Sequence, residues 1–439
     1  MSISIALFTQ DLRVHDNPVL RAALAESAEV VPLFVLDEGV EATGFAVPNR
    51  AAFLAGCLAD LDGALRSRGG RLVVRRGEAV AETVRLARRL DARGVHLAAG
   101  VSAFAHRREA GLRAELGERL RVHEAVLTAL APGAVTPAGK DHYGVFTPYW
   151  RAWRQAERRA PLTAPRTVRV PADVPGVAVP AVRPDSPDLP EGGESAGRRR
   201  WSGWDVDAYQ EQHDDLAGDD TSRLSPYLHF GCLSATELVA LAERRGGAGA
   251  EAFVRQLVWR DFHHQVLAAR PDAARADYRP RGDRWHHDDA ELAAWREGRT
   301  GYPIVDAGMR QLAAEGWMHN RARLLTAGFL AKTLYLDWRA GAAHFLSLLV
   351  DGDVANNQLN WQWVAGTGTD TRPNRVLNPL TQAKRFDPHG DYVRRWVPEL
   401  AEVPGPAVHR PWLLERPPRD YPAPVIDLAE GRFARGRGR

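Results

Sequence analysis

The sequence predicts an α/β N-terminal domain, a parallel sheet covered by helices, joined by a long linker to an all-helical domain. Three observations carry this. Short apolar, branched runs alternate with helix-spaced Ala/Leu/Arg/Glu stretches over residues 1 to about 130, the pattern of a parallel sheet buried on both faces. Proline and valine then crowd residues 131 to about 204. All 13 tryptophans lie at or beyond Trp150, so the later chain follows a different plan.

The strands are expected at 3–8 (ISIALF), 30–36 (VVPLFVL), 71–75 (RLVVR) and 95–98 (VHLA). Helical spacing fills the intervals, most clearly in NRAAFLAGCLADLDGALRSRG and AVAETVRLARRLDARG. The stretch PDSPDLPEGGESAGRRR cannot pack a periodic element and is expected as a linker wrapped over the surface. From about 205 onward the helical segments follow one another: ATELVALAERR, AEAFVRQLVWRDFHHQVLAAR, DDAELAAWREG, VDAGMRQLAAEG, NRARLLTAGFLAKTLYL and AGAAHFLSLLV. The expected domains are thus 1–130, a linker at 131–204, and a helical domain at 205–439.

With 45% hydrophobic and 26% charged residues in 439, the composition is that of a globular protein large enough to build its own interior. Cys57 and Cys232 are the only cysteines, which excludes a disulfide framework and suits a reducing cytosol. The N-terminus meets charge within about ten residues, and no apolar run reaches spanning length. A cytoplasmic protein with no membrane association is therefore expected. A net charge of +3 makes only a weak case for nucleic acid, although a local basic face would serve.

Several stretches could carry chemistry. TQDLRVHDNP follows the first strand, where ligands of open α/β sheets bind, but Asp11, Arg13, Asp16 and Asn17 equally suit a helix cap and a salt-bridged turn. No G-x-G-x-x-G or phosphate-loop signature accompanies it. GDDTSRLSPYLHFGCLS gathers Thr221, Ser222 and Ser225 before a helix start, a pattern that fits either capping or a diphosphate. In GWMHNRARLLTAGFL, Asn320 and Arg323 share a helical face, and an arginine in an apolar helix needs a carboxylate or an anionic ligand. Asp351 and Asp353 are the natural partners. As a D-x-D pair they could also hold a metal, but the nearby Trp338, Trp361 and Trp363 suit an aromatic cofactor better, and no metal is assigned.

Taken together, DLRVHDNP, TSRLSPYLHFG, FVRQLVWRDF, TGYPIVDAGMRQL, GWMHNRAR, DGDVANNQLNWQW, GTGTD and KRFDPHGDYVRRWVPEL are long, ordered and separately specific. The chain resembles the photolyase/cryptochrome flavoprotein family, and within it the bacterial class I enzymes that repair cyclobutane pyrimidine dimers. The resemblance implies a helical domain that binds FAD. It places Tyr209, Thr221, Ser222, Leu224 and Ser225 along the diphosphate and ribityl part, and Asn320, Arg323, Asp351, Asp353 and Asn357 at the isoalloxazine and adenosine side. Arg323 would pair with Asp351, Asp353 would accept from the ring N3–H, and Asn357 would face N5.

The resemblance also implies an electron relay through Trp361, Trp338 and Trp285, from flavin to surface. Trp259 and Trp363 match aromatic contacts to the flipped dimer. Arg321 and Arg375, with Lys384 more loosely, match the DNA-facing rim. Gln256 departs from the glutamate of many bacterial dimer enzymes; its neutral amide still donates to a thymine carbonyl. An antenna chromophore, a deazaflavin or a folate, is expected in the α/β domain, although Gln10, Ser102 and Ala103 depart from the family's pattern there. The implied function is light-driven dimer repair by a monomer acting on DNA, without an obligate protein partner. The alternatives are a cryptochrome-like photoreceptor and a (6-4) photolyase, with the short basic tail GRFARGRGR offering little material for signalling output.

Overall fold

The computed structural model describes residues 2–218 and 220–432; the basic tail from 433 lies outside them. Two compact units are present. The first takes in Met1–Pro184, Pro190–Gln210 and Ser222–Pro271, and the second Asp185–Leu189, Glu211–Thr221 and Asp272–Arg439. Among the described residues, no helix is long and apolar enough to cross a membrane.

The first unit holds strands β1 (Ile3–Phe8), β2 (Glu29–Asp37), β3 (Val73–Gly77), β4 (Gly94–Ala98) and β5 (Leu120–His123), all parallel, in the order β3-β2-β1-β4-β5. β1 and β2 are buried along nearly their whole length, as strands covered on both faces must be. Pro32 is tolerated inside β2 because pairing with β3 begins only at Leu33. β5, four residues with a single buried position, is the edge strand that the hydrophobic pattern did not signal.

Sheet order reverses beside β1, and DLRVHDNP leaves its carboxyl end there. Asp11, Arg13, Asp16 and Asn17 are all fully buried. Asn17 caps the Pro18–Glu26 helix by accepting from the Leu20 N–H at 2.9 Å. Arg13 donates to the backbone carbonyls of Asp16, Gly231 and Val126, and Asp16 accepts from Arg159, Ser234 and the Leu162 N–H. The motif is thus an internal tie whose buried charges are mutually compensated. Gly231 closes it at φ +66°, where a Cβ would lie 1.7 Å from the Gln10 carbonyl oxygen, so only glycine fits.

Within the proline-rich stretch the structure departs from expectation, since helices occupy Phe146–Gln155 and Glu194–Ser202. FTPYWRAWRQ buries Phe146, Tyr149, Trp150 and Trp153, a single apolar stripe that the surrounding prolines mask in any average over composition. The long helix Gly247–Ala269 supplies Asp261, which accepts from the Trp153 indole N–H (3.0 Å) and the Leu130 (3.0 Å) and Ala129 (3.3 Å) amides.

Burial pushes the Asp261 carboxyl up to about 6, the three donors offsetting only part of the desolvation. Because the folded value exceeds the unfolded one, the associated stability is complete below the ordinary aspartate range and is lost as pH rises through about 6. The expected loss is roughly 3 kcal/mol. Unfolding free energies of wild type and Asp261→Asn, compared from pH 4 to 7, should diverge in that sense; a difference independent of pH would contradict it.

The second unit is helical, with helices at Asp289–Arg296, Pro303–Glu315, Asn320–Gly328, Trp338–Leu348, Val354–Ala365, Pro379–Phe386 and Asp391–Trp396. They enclose one core that includes Trp295, Phe329, Trp338, Phe345, Trp361 and Tyr392. The stretch expected as one helix over 320–336 becomes π-helical at Phe329–Leu334 and ends at Tyr335, whose φ is +58°. That stop turns the Tyr335 carbonyl toward the His286 N–H (2.8 Å), and Trp338 opens the next helix.

Candidate functional site

The charged centre of the second unit is the pair Arg323–Asp351. The 320–328 helix directs Arg323 so that its Nε donates to the Met318 carbonyl (2.8 Å) and its Nη2 to Asp351 Oδ2 (2.7 Å). Only 3% of the Asp351 side chain is exposed, and its buried Oδ1 has no partner among the described residues. Such an oxygen costs about 1–3 kcal/mol unless a donor reaches it. A ligand carrying N–H or O–H groups would supply one, so these residues fit the polar edge of a flavin. Asn320 stands exposed at the first turn of the same helix.

Asp353 caps the 354–365 helix, its Oδ1 accepting from the Asn356 backbone N–H (2.7 Å) and side-chain amide (2.8 Å). The two aspartates of the D-x-D pair are therefore engaged with an arginine and a helix start. Asn357, buried one turn into that helix, donates its Nδ2 to the Ala342 carbonyl (3.2 Å) and to Gln358 Oε1 (3.1 Å). With both amide hydrogens engaged, the group Asn357 can offer a ligand is its acceptor oxygen.

Trp361, on the same helix, is 2% exposed, and its indole N–H finds no acceptor among the described residues. It packs edge-on to Phe345 (5.0 Å) and Trp295 (5.9 Å). Its six-membered ring lies against Gly341, in the helix that Trp338 begins. Trp338 is fully buried and donates to Asp277 Oδ1 (2.9 Å), which Arg339 also contacts. Trp285 is half-buried, with its ring 4.9 Å from Tyr335, in the segment hydrogen-bonded to residues 335–336. Neither Gly341 nor Asp277 was visible as a site residue, because nothing in their local sequence marks them.

A Cβ on Gly341 would stand 2.2 Å from Trp361 Cη2 and 2.7 Å from Leu330 Cδ2. Gly341→Ala is expected to cost about 1–3 kcal/mol through overpacking and to displace the Trp361 ring. A thermal melt matching wild type would contradict this contact.

Elsewhere in the unit, the Arg375 guanidinium lies 4.6 Å over the Trp363 ring. Arg321 forms a bidentate pair with Asp214 (2.7 Å to each oxygen) and lies 4.3 Å over Phe386. The residue expected on a phosphate-facing rim thus already holds a carboxylate. Thr221 ends the 211–221 segment of this unit, and Lys384 lies in the last turn of the 379–386 helix.

The other expected residues stand on the first unit. Tyr209 packs edge-on to Trp204 at 5.2 Å. Ser222 accepts from the Leu224 N–H (3.4 Å) and, through its carbonyl, from Arg200 (3.1 Å), while Arg223 between them takes φ +49°. Ser225 opens a five-residue helix. Gln256 is exposed and Trp259 half-buried on the 247–269 helix, and the Trp259 ring stacks on Phe146 with centroids 3.7 Å apart.

At the carboxyl ends of β1 and β2, burial raises the carboxyls of Asp11 and Asp37 and lowers the Arg108 guanidinium, whose buried Nε has no partner among the described residues. Ser102, one of the departures from the family's pattern, caps the Ala103–Leu116 helix.

Residues 4–167 match the family model of DNA photolyase, and residues 253–436 that of the FAD binding domain of DNA photolyase. The deoxyribodipyrimidine photo-lyase of Streptomyces griseus is 63% identical over 453 residues, covering 100% of both chains. A bacterial class III photolyase from Agrobacterium tumefaciens superposes with a TM-score of 0.91 at 30% identity, over 99% of this chain and 96% of that one. An archaeal photolyase from Sulfolobus tokodaii, solved with two FAD molecules, does so with a TM-score of 0.88 at 32% identity, over 99% and 98%. A likeness that runs from end to end, through both the parallel sheet and the helical core, has one conclusion: this chain belongs to the DNA photolyase family.

Proposed function

We propose that this protein uses light to split cyclobutane pyrimidine dimers in DNA. The observation that carries the proposal is the 63% identity, over the whole of both chains, to a deoxyribodipyrimidine photo-lyase. Bound in its reduced form, FAD would supply the light-driven electron chemistry that opens the cyclobutane bonds without net redox change.

The residues of this chain bind, orient and tune. Arg323, held by Met318 and Asp351, is a fixed cation that stabilises an electron-rich ring. Asp353 would accept from the ring edge, and Asn357 would offer its oxygen to a ring N–H. Tyr209, Thr221, Ser222, Leu224 and Ser225 line the diphosphate side. Trp361, Trp338 and Trp285 carry electrons inward to restore the reduced state.

Trp259 and Trp363 replace the stacking that an extruded dimer has already partly lost. Gln256 donates its neutral amide to a pyrimidine carbonyl without adding negative charge. Arg375 supplies a phosphate contact, and Arg321 exchanges Asp214 for phosphate when DNA arrives. A second, light-harvesting chromophore sits at the carboxyl ends of β1 and β2, where the Arg108 Nε, without a partner among the described residues, offers a donor. The protein acts as a cytoplasmic monomer.

Expression in a UV-irradiated bacterium that lacks its own photolyase tests the proposal. Survival should rise under visible light and not in darkness; equal survival in both would overturn it.

A further inference from the structure

The aromatic stack on the first unit has a third layer. Phe146 and Trp259 lie parallel, with an interplanar angle of 3° and centroids 3.7 Å apart, and the Arg255 guanidinium lies 5.1 Å over the Phe146 ring. Arg255 and Trp259 are four residues apart on the 247–269 helix, about 6 Å of rise, which leaves room for one ring to wedge between their side chains. Phe146 is 5% exposed. Phe262 meets both rings edge-on, at 5.8 Å from Phe146 and 5.6 Å from Trp259, and fixes them from the side.

Two features of this stack point outward. Trp259 is half-buried, with one face covered by Phe146. Arg255 is exposed and forms no ion pair among the described residues, unlike Arg321 with its chelating Asp214. Gln256 is exposed between them, three residues before Trp259. An unpaired cation and an aromatic face, set one helical turn apart and locked by a shared ring, match a backbone phosphate and an unstacked base of one DNA strand.

Resting on the assignment of Trp259 to lesion contact, we propose that Arg255, Phe146 and Trp259 form one DNA-gripping element. Trp259 stacks on the extruded dimer, Arg255 contacts a phosphate of the same strand, and Phe146 is a positioning residue that sets the spacing between them. Preorganisation is the source of its effect: without Phe146 the indole and the guanidinium each lose a fixed orientation and must regain it on binding.

Dark equilibrium binding of the holoenzyme to dimer-containing and intact duplexes of one sequence, over a range of salt, tests the element. Phe146→Leu should lower lesion affinity about tenfold and intact-DNA affinity less, while Phe146→Tyr retains wild-type binding. Arg255→Ala should weaken both duplexes alike and reduce the salt slope by about one. Thermal melts accompany each variant; if Phe146→Leu melts early, Phe146→Met, whose unbranched side chain adapts to the space a ring leaves, takes its place.

Wild-type lesion affinity in stably folded Phe146→Leu or Phe146→Met, alongside weakened binding by Trp259→Leu, would overturn the positioning role. An unchanged salt slope in Arg255→Ala would overturn the phosphate contact. If Trp259→Leu itself binds the lesion normally, the assignment of Trp259 fails and the element with it.

Discussion

Replacing Trp361 with phenylalanine is expected to reduce light-driven reduction of oxidised FAD to background, while chemically pre-reduced enzyme keeps most of its repair activity. Phenylalanine fills most of the same core space but is far harder to oxidise than tryptophan. Trp361 is buried among Trp295, Phe345 and Gly341, and its N–H has no acceptor among the described residues. Trp338 instead donates to the Asp277 carboxylate at 2.9 Å. A negative group beside Trp338 favours positive charge there over Trp361, which draws the oxidising equivalent outward toward half-buried Trp285. The Arg339 guanidinium on the same carboxylate offsets part of this. Stopped illumination with an external thiol, followed by flavin absorbance, reads the rate; reduction at the wild-type rate would exclude Trp361 from the relay.

The second large effect concerns the Arg323–Asp351 pair. Arg323→Ala removes the one hydrogen-bonding partner shown for a carboxylate whose side chain is 3% exposed. Breaking one side of a buried pair costs about 3–5 kcal/mol, because the remaining charge stays desolvated. Denaturant midpoints should fall accordingly, and the flavin-to-protein absorbance ratio of the purified variant should drop. Adding Asp351→Asn should recover much of the stability without recovering the flavin, since the cation is still missing. A single variant that keeps both stability and flavin would contradict the role assigned to the pair.

The parts of this fold that were legible in the sequence are those with a strong period. β1, β2 and β4 are short apolar runs buried on both faces, and the 235–245 and 303–315 helices show their buried stripes directly. β5 escaped because LRVH buries one residue of four. The 146–155 helix escaped because proline-rich neighbours dominate the composition around it. The π turn at 329–334 escaped because its residues, FLAKTL, continue an ordinary helical pattern.

The same logic holds for the site. An arginine in an apolar helix demands a partner, so Arg323 with Asp351 could be anticipated from charge alone. Arg321 with Asp214 could not, because the two are 107 residues apart in sequence and Asp214 lies in an otherwise unremarked acidic segment. The sequence of the buried DLRVHDNP network leaves its alternatives open; the fold decides them by bringing Asp16 to Arg159 and Ser234. Phe146 carried no signal at all: its importance comes from a ring placed between two side chains of a helix more than a hundred residues later.

The most direct measurement is dimer content in a defined oligonucleotide incubated with the purified, reduced protein, in blue light and in darkness. The proposed function predicts restored pyrimidines in the illuminated sample alone, with the flavin still reduced at the end. Equal dimer content in both samples would contradict it.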